Sequence, residues 1–299
     1  MEVSINDKSF LESLIHLITY NFNNKNCINI FMIQTNSNEF DYNSFANNLV
    51  EPLITYSLSR KVQKDYINQP GHLSKLARSK FIEYLDKSGE LGELILYAFL
   101  ETHLCAPKIL SKVELKTSPN MPVHGSDGVH YLKLSNGNYQ LIFCESKTIK
   151  SLNSAIKSAL KSIKDLKYSN SVNTKSNNLS YEKTLVSENL LKECTSEEEI
   201  EFIKSIIYPN SSNNFHVDDA FGILVGYEIE FEEEFKYLSN EDFREKVKLK
   251  ILNDTSNLVN TISLMLDEYA LNGHNFYLYI LPFSNLSNSR EFILKEILS

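Results

Sequence analysis

The feature that most restricts the fold is a pair of strand-like segments joined by a short polar turn. Residues 129–134 and 139–144 favour strands, and the sequence Ser-Asn-Gly-Asn fills positions 135–138 between them. An Asn-Gly pair flanked by such segments is a strong β-hairpin signal. The sequence therefore predicts a hairpin that returns the end of its second strand to the start of its first.

Charged residues lie at the open end of this predicted hairpin. Asp127 precedes the first strand, and the tripeptide Glu-Ser-Lys ends the second. Because side chains alternate along a strand, Glu145 and Lys147 project from the same face. A two-residue turn would pair Asp127 with Ser146 and put Asp127 on the opposite face. We therefore predict either a three-residue turn with a left-handed Gly137 or a bulge near Asp127.

Two carboxylates and a lysine at one sheet edge can bind a divalent cation and activate water, as in metal-dependent nucleases. The Glu-x-Lys pattern alone is weak, because it recurs at 114–116 on another strand-like segment. Glu145 is a better candidate than Glu114, since it follows a long apolar run and leads into a helix with a lysine-rich face. Asp127, Glu145 and Lys147 are therefore the candidate catalytic residues.

The segment 149–167 predicts an amphipathic helix directly after Lys147. Its apolar residues lie on one side, and its lysines lie on the other at spacings of seven, four and three. These lysines are Lys150, Lys157, Lys161 and Lys164. Such a face is often only solvated, but its position beside the candidate site equally favours contact with nucleic-acid phosphates.

A third acidic candidate lies in the apolar helix predicted over 89–105. Carboxylates are rarely fully buried unless they are paired or coordinated. Glu90 lies near the helix start, where the dipole favours negative charge. Glu93 is followed at once by Leu-Ile-Leu, so it is the better ligand candidate and would complete an acidic cluster with Asp127 and Glu145.

Composition and charge limit the class of protein. A hydrophobic fraction of 42% is ordinary for a globular protein, and no apolar stretch is long enough to span a membrane. The four cysteines form no C-x-x-C pair and the start shows no signal-peptide pattern, so we expect a cytoplasmic protein. The net charge of −8 argues against a free-standing DNA binder, because duplex affinity comes mostly from neutralised phosphates.

Strand-like and helical segments alternate, which indicates an α/β or α+β fold. We predict an N-terminal extension of helices and a strand at 1–70 that packs on the core, and a core domain at 71–299. Further strands are predicted at 113–116 and 220–231. A stretch rich in Ser and Asn predicts a surface loop at about 168–189.

Several segments together resemble the HamA family, the effector subunits of Hachiman anti-phage defence. They are Gly-Glu-Leu-Gly-Glu-Leu at 89–94, Gly-Ser-Asp-Gly-Val-His at 125–130, Glu-Ser-Lys at 145–147 and His-Val-Asp-Asp-Ala-Phe-Gly at 216–222. As a set these motifs are fairly specific, and the resemblance covers roughly 89–227. HamA belongs to the PD-(D/E)XK nuclease superfamily, so the resemblance implies a restriction-endonuclease-like core, a mixed sheet flanked by helices. Ser126 stands where the superfamily pattern has proline.

The resemblance implies a DNA nuclease controlled by a helicase partner, HamB. Together with the residue pattern, it predicts that Asp127, Glu145 and the Ser146 carbonyl hold Mg²⁺ or Mn²⁺. Glu93 would bind the metal directly, through water, or at a second ion. Lys147 would orient or deprotonate the attacking water. We expect little sequence specificity, because phosphate contacts carry none.

Two alternatives remain open. The chain could be a non-catalytic adaptor or regulatory subunit that binds only the helicase or DNA. It could also be a nuclease that acts on RNA or a nucleotide, since the metal chemistry would be the same. The complete set of Asp127, Glu145 and Lys147 favours a catalytic protein.

Overall fold

A seven-stranded mixed sheet forms the centre of the computed structural model. The structure describes residues 1–85, 89–115, 125–169, 178–231 and 233–299. The strands are β1 (Leu14–Phe22), β2 (Asn26–Ile33), β3 (Thr35–Asn36), β4 (Glu39–Phe40), β5 (Lys108–Ser111), β6 (Gly128–Lys133), β7 (Tyr139–Thr148), β8 (Val217–Glu228) and β9 (Asn275–Phe283). Strands β3 and β4 form a separate two-stranded sheet.

Helices surround the central sheet. They are α1 (Ser9–Glu12), α2 (Tyr42–Asn47), α3 (Val50–Ser57), α4 (Arg60–Asp65), α5 (Pro70–Tyr84), α6 (Glu90–Thr102), α7 (Lys112–Leu115), α8 (Leu152–Tyr168), α9 (Asn178–Glu193), α10 (Glu197–Ile207), α11 (Asn240–Thr255), α12 (Leu258–Glu268) and α13 (Leu286–Leu298), with a 3₁₀ helix at Glu233–Tyr237. None of the described helices is long and apolar enough to cross a membrane. The mixed sheet flanked by helices confirms the predicted fold class at this level.

The strand order is β1-β2-β9-β8-β7-β6-β5. The four middle strands, β2, β9, β8 and β7, run parallel, and each edge is completed by antiparallel pairing. Parallel strands are covered on both faces, so they read as continuous apolar runs. Strand β8 shows this pattern, because its residues from Ala220 to Tyr227 are all buried.

Residues 1–70 are built into this sheet. Strand β2 pairs in parallel with β9 from the far end of the chain, and β1 pairs with β2 at the edge. The segment expected to pack on the core as an extension therefore supplies two strands of the core itself. Its apolar residues Ile28, Ile30 and Met32 are fully buried for this reason.

Two local predictions are wrong. The strand expected at 113–116 is not formed, because β5 ends at Ser111 and the chain turns at once into helix α7. The loop expected at about 168–189 is helical from residue 178 onward, where α9 begins. Leu179, Val186 and Leu190 fall on one face of α9 and are buried, which explains why this Ser- and Asn-rich segment is ordered as a helix. Residues 170–177 lie outside the described residues.

Helices α6 and α8 position the candidate site. Both pack against β7 and β8. Gly92 of α6 faces the side chain of Ser146, whereas Ser162 of α8 hydrogen-bonds the neighbouring Glu145, so the two helices cover opposite faces of these strands. All residues of α6 are buried, whereas α8 buries one face that includes Ile156, Ala159 and Ile163. The C-terminal end of β7, with its charged tripeptide, therefore lies between two helix layers.

Candidate active site

The hairpin has the turn that the sequence predicted. The backbone N–H of Leu134 donates to the carbonyl of Asn138 at 2.8 Å, which closes a three-residue turn, and Gly137 has a φ of 86°. The ladder that follows pairs Val129 with Phe143. Continued toward the open end, this register sets Asp127 level with Glu145, and the prediction of a three-residue turn is confirmed.

Asp127 joins the hairpin to the segment after β5. Its Oδ2 accepts a hydrogen bond from the backbone N–H of Ser146 at 2.7 Å. Its Oδ1 accepts one from Lys112 Nζ at 3.1 Å. The backbone N–H of Asp127 in turn donates to the Cys144 carbonyl at 2.9 Å. The carboxylate is buried and held from two directions.

Glu93 reaches the same place from helix α6. Its Oε2 accepts hydrogen bonds from the hydroxyls of Tyr56, at 3.0 Å, and Tyr84. Its Oε1 lies 3.6 Å from Lys112 Nζ. Burial raises the pKa of Glu93 to about 8 and the charge of Asp127 adds to this rise, while Lys112 and the two hydroxyls oppose it.

Lys112 is a site residue that the sequence analysis missed. Its ammonium lies between Glu93 and Asp127. Burial lowers the pKa of Lys112, but the two carboxylates outweigh burial and the net pKa is raised above its ordinary value. The one sequence feature that could have indicated Lys112 is its position directly after a short apolar segment. Because we predicted the strand at 113–116 instead, Lys112 was not placed at a strand end.

Glu145 and Lys147 project from the same face of β7, as predicted. Lys147 Nζ lies 2.5 Å from Glu145 Oε1. The pKa of Glu145 is raised to about 7, because burial and the charge of Asp127 raise it more than Lys147 lowers it. The structure thus brings Asp127, Glu145 and Lys147 together at the end of the hairpin.

Glu182 on α9 is a second residue that the sequence analysis missed. Its Oε2 accepts a hydrogen bond from Ser126 Oγ at 3.0 Å, next to Asp127 in the chain. Burial raises the pKa of Glu182 to about 7, against the opposing effect of Ser126. A Cβ at Gly125 would lie 1.4 Å from Glu182 Oε1, and Gly125 has a φ of 154°, so a larger residue there would be strained and would displace the Glu182 carboxylate. Because the segment that carries Glu182 was predicted as a loop, the sequence did not indicate that Glu182 contacts the residues beside Asp127.

The donor atoms suit a hard divalent cation. Asp127 and Glu93 meet at Lys112, the charge of Asp127 raises the pKa of Glu145, and carboxylate oxygens are the ligands that Mg²⁺ prefers. Burial, and after it the charge of Asp127, raises the pKa values of Glu93 and Glu145. Within the described ranges, however, no group of three or more His, Cys, Asp or Glu side chains is arranged to hold a metal ion.

The four lysines predicted to share one helix face have different surroundings, and Lys150 lies before α8, which begins at Leu152 rather than at residue 149. Lys150 pairs with Glu228 at 3.1 Å and with Glu230 at 3.5 Å. Lys164 lies over the ring of Tyr269, 4.9 Å from its centroid. Lys157 and Lys161 are exposed. The two middle lysines of the predicted face, Lys157 and Lys161, are therefore the ones that point to solvent.

His130 belongs to the core rather than to the site. It is buried, and its Nδ1 lies 2.8 Å from the carbonyl oxygen of Ala106. Burial lowers the pKa of His130 to about 3, so the ring is neutral at physiological pH. His124, the other histidine near Asp127, lies outside the described residues.

Comparison with known families covers nearly the whole chain. The family model of HamA matches residues 8–297. No match is found among curated proteins or among solved structures. The match extends beyond the motif-bearing segment and includes the first strands and the last helix. The chain therefore belongs to the HamA family and is a protein of Hachiman defence.

Proposed function

We propose that this chain is a metal-dependent nuclease that hydrolyses DNA phosphodiester bonds with little sequence specificity, under the control of the helicase HamB. One observation carries the proposal. The Asp127 carboxylate accepts a hydrogen bond from the backbone of Ser146, and this bond ties it to the Glu-Ser-Lys tripeptide. Membership of the HamA family supports it independently.

Asp127, Glu145 and the carbonyl of Ser146 would hold Mg²⁺ or Mn²⁺, and Glu93 would contribute from α6. When bound, such an ion supplies Lewis acidity that lowers the pKa of a coordinated water and balances charge on phosphate. Other residues of the chain orient these carboxylate oxygens through hydrogen bonds. The two tyrosine hydroxyls orient Glu93, and the Ser146 N–H orients Asp127.

Lys147 is the candidate for stabilising negative charge as it develops on the phosphate. Its ammonium lies beside Glu145 at the end of β7 and is partly exposed. A preorganised cation in a partly buried site stabilises such charge more than the same cation in water. The exposed Lys157 and Lys161 would contact backbone phosphates and carry no sequence information.

The net charge of −8 is the reason to include a partner. Few phosphates can be neutralised by this chain alone, so its affinity for duplex would be low at physiological salt. A helicase that delivers DNA would remove that difficulty. Control by HamB would then be a matter of access to DNA, with the hydrolytic groups already in place.

The test is cleavage of plasmid DNA with Mg²⁺, by the chain alone and with HamB and ATP. The first prediction is that Glu145→Ala abolishes cleavage while the variant stays folded. Glu245→Ala is the matched control, because Glu245 is exposed on α11 and pairs with Lys248 away from the site. Cleavage by Glu145→Ala at the wild-type rate would refute the site assignment. RNA in place of plasmid distinguishes the two nuclease classes.

A non-catalytic adaptor is the second candidate. The observation that favours it is the engagement of Glu93 and Asp127 by Lys112, together with the lack of a metal-binding acidic group in the described residues. An adaptor would bind HamB normally and would cut neither DNA nor RNA under any condition. That result would replace the nuclease proposal.

A further inference from the structure

We propose that Lys112 is a built-in competitor of the divalent cation, which occupies the space between Glu93 and Asp127 and must leave before a metal ion binds there. This inference rests on the proposed function and concerns the regulation of the same site. In this role Lys112 keeps the metal site closed for as long as its ammonium stays between the two carboxylates.

The geometry shows direct competition for the same atoms. Lys112 Nζ lies 3.1 Å from Asp127 Oδ1 and 3.6 Å from Glu93 Oε1. These two carboxylates belong to different elements, and the ammonium is the cation that joins them. An ammonium and a divalent ion repel each other and require the same oxygens, so they cannot share this position.

The other oxygens of these carboxylates have different partners. Glu93 Oε2 accepts from two tyrosine hydroxyls, and Asp127 Oδ2 accepts from the Ser146 N–H. In the described part of the chain, Glu93 Oε1 and Asp127 Oδ1 have Lys112 as their polar partner. The oxygens that a metal ion would take are therefore those that the lysine holds.

Lys112 is also placed so that it can withdraw. Its side chain is 23% exposed and begins at the first residue of the short helix α7. A lysine side chain has a flexible four-carbon stem, which lets the ammonium move to water without a change in the backbone. Release of Lys112 would open the site, and its return would close the site when no metal is present.

The first experiment measures Mn²⁺ binding by electron paramagnetic resonance. Lys112→Met should bind Mn²⁺ about tenfold more tightly or better than wild type, because the ion no longer has to displace an ammonium that is paired with both carboxylates. Lys112→Arg keeps the charge and should show no gain. Lys183→Met is the matched control, since Lys183 also pairs with a carboxylate, Asp219, and is 21% exposed. Its affinity should equal that of wild type.

The second experiment uses the wild-type chain, so it does not depend on the folding of a Lys112 variant. Amine labelling followed by mass spectrometry should show a severalfold rise in modification of Lys112 when Mg²⁺ is added. Labelling of Lys183 should stay constant, and in Asp127→Asn the rise at Lys112 should be lost.

The outcomes separate this inference from the proposed function. If wild type cleaves DNA with dependence on Mg²⁺ and Glu145, but Lys112 labelling does not change, the competitor role is refuted and the nuclease proposal stands. Equal or weaker Mn²⁺ binding by Lys112→Met also refutes the role. If neither wild type nor Lys112→Met binds Mn²⁺, both proposals fail. Tighter Mn²⁺ binding by Lys112→Met, together with increased labelling of Lys112 in wild type when Mg²⁺ is added, supports the competitor role.

Discussion

Two lysines only four residues apart, Lys108 and Lys112, show how one kind of ion pair serves different ends. Lys108 lies within β5, is fully enclosed, and has its Nζ 3.4 Å from Glu193 of α9. It also donates to the carbonyl of Thr55 at 3.0 Å. Lys112 lies just beyond the strand, reaches the surface, and is shared between Glu93 and Asp127.

The difference is in what surrounds each ammonium. Around Lys108, backbone carbonyls and Glu193 come from elements that pack on one another, so the charge fixes their arrangement. Around Lys112, the acceptors are two buried carboxylates, Glu93 on α6 and Asp127 just before β6. Buried carboxylates with perturbed pKa values beside an accessible cation are typical of functional sites, whereas breaking an enclosed, hydrogen-bonded ion pair mainly costs stability.

The largest effect that would test this contrast is the stability of Lys108→Met. The substitution leaves Glu193 buried with Arg60, 3.5 Å away, as a remaining cation, so we expect a loss of about 3 kcal/mol in the free energy of unfolding. Lys112→Met should cost much less, because its ammonium is partly exposed. Urea unfolding of both variants measures the difference. Equal losses would remove the distinction between a structural and an exchangeable lysine.

Glu182 extends the comparison to a buried carboxylate whose near partner is the hydroxyl of Ser126 rather than a lysine. The unfolded chain loses its proton near the ordinary pKa of 4.5, and the folded protein near 7. Between these values the folded state holds the extra proton, so stability falls as pH rises. Glu182→Gln should remove the Glu182 contribution to this slope, while Glu93 and Glu145 keep theirs, and it should be more stable than wild type near neutral pH by on the order of 3 kcal/mol.

Urea unfolding of wild type and Glu182→Gln across that pH range supplies the measurement. The two proteins should be closest in stability at the acid end, where both side chains are neutral. If the free energies of unfolding of the two proteins changed with pH in parallel, the raised pKa of Glu182 would be refuted, and its burial would not lower stability.

The smallest effect concerns DNA affinity and extends the contrast to α8. Replacing both Lys157 and Lys161 with Gln should reduce the salt dependence of DNA binding by the HamB complex by about two phosphate contacts. The double variant of Lys150 and Lys164 should change it less, since these lysines engage acidic and aromatic neighbours. An equal reduction by both pairs would show that the whole face contacts DNA.

Local features of the site were predictable from the sequence. The turn at Gly137 follows from the chemistry of Asn-Gly, and the parity of side chains along β7 then decides that Glu145 and Lys147 share a face. Asp127 could be placed beside them because a hairpin is a short-range structure. Glu93 was suggested by its place in an apolar helix, where it is buried with a hydroxyl and a lysine as partners, and its role as a metal ligand stays a prediction.

The residues that were missed come from segments whose position depends on distant packing. Lys112 reaches the site because β5 stops one residue before it, and nothing nearby in the sequence indicates that end. Glu182 arrives on α9, whose apolar spacing is diluted by Ser and Asn. The inclusion of β1 and β2 in the central sheet is equally non-local, because β2 pairs with a strand from the other end of the chain.

The place of β9 has a consequence for how the protein is made. This strand lies between β2 and β8 and pairs with both. Until residues 275–283 leave the ribosome, the nascent chain holds two separate half-sheets with unpaired edges, which invite association with other chains. A product truncated before β9 therefore loses the middle of its sheet rather than its end, and completion of synthesis is a condition for the fold.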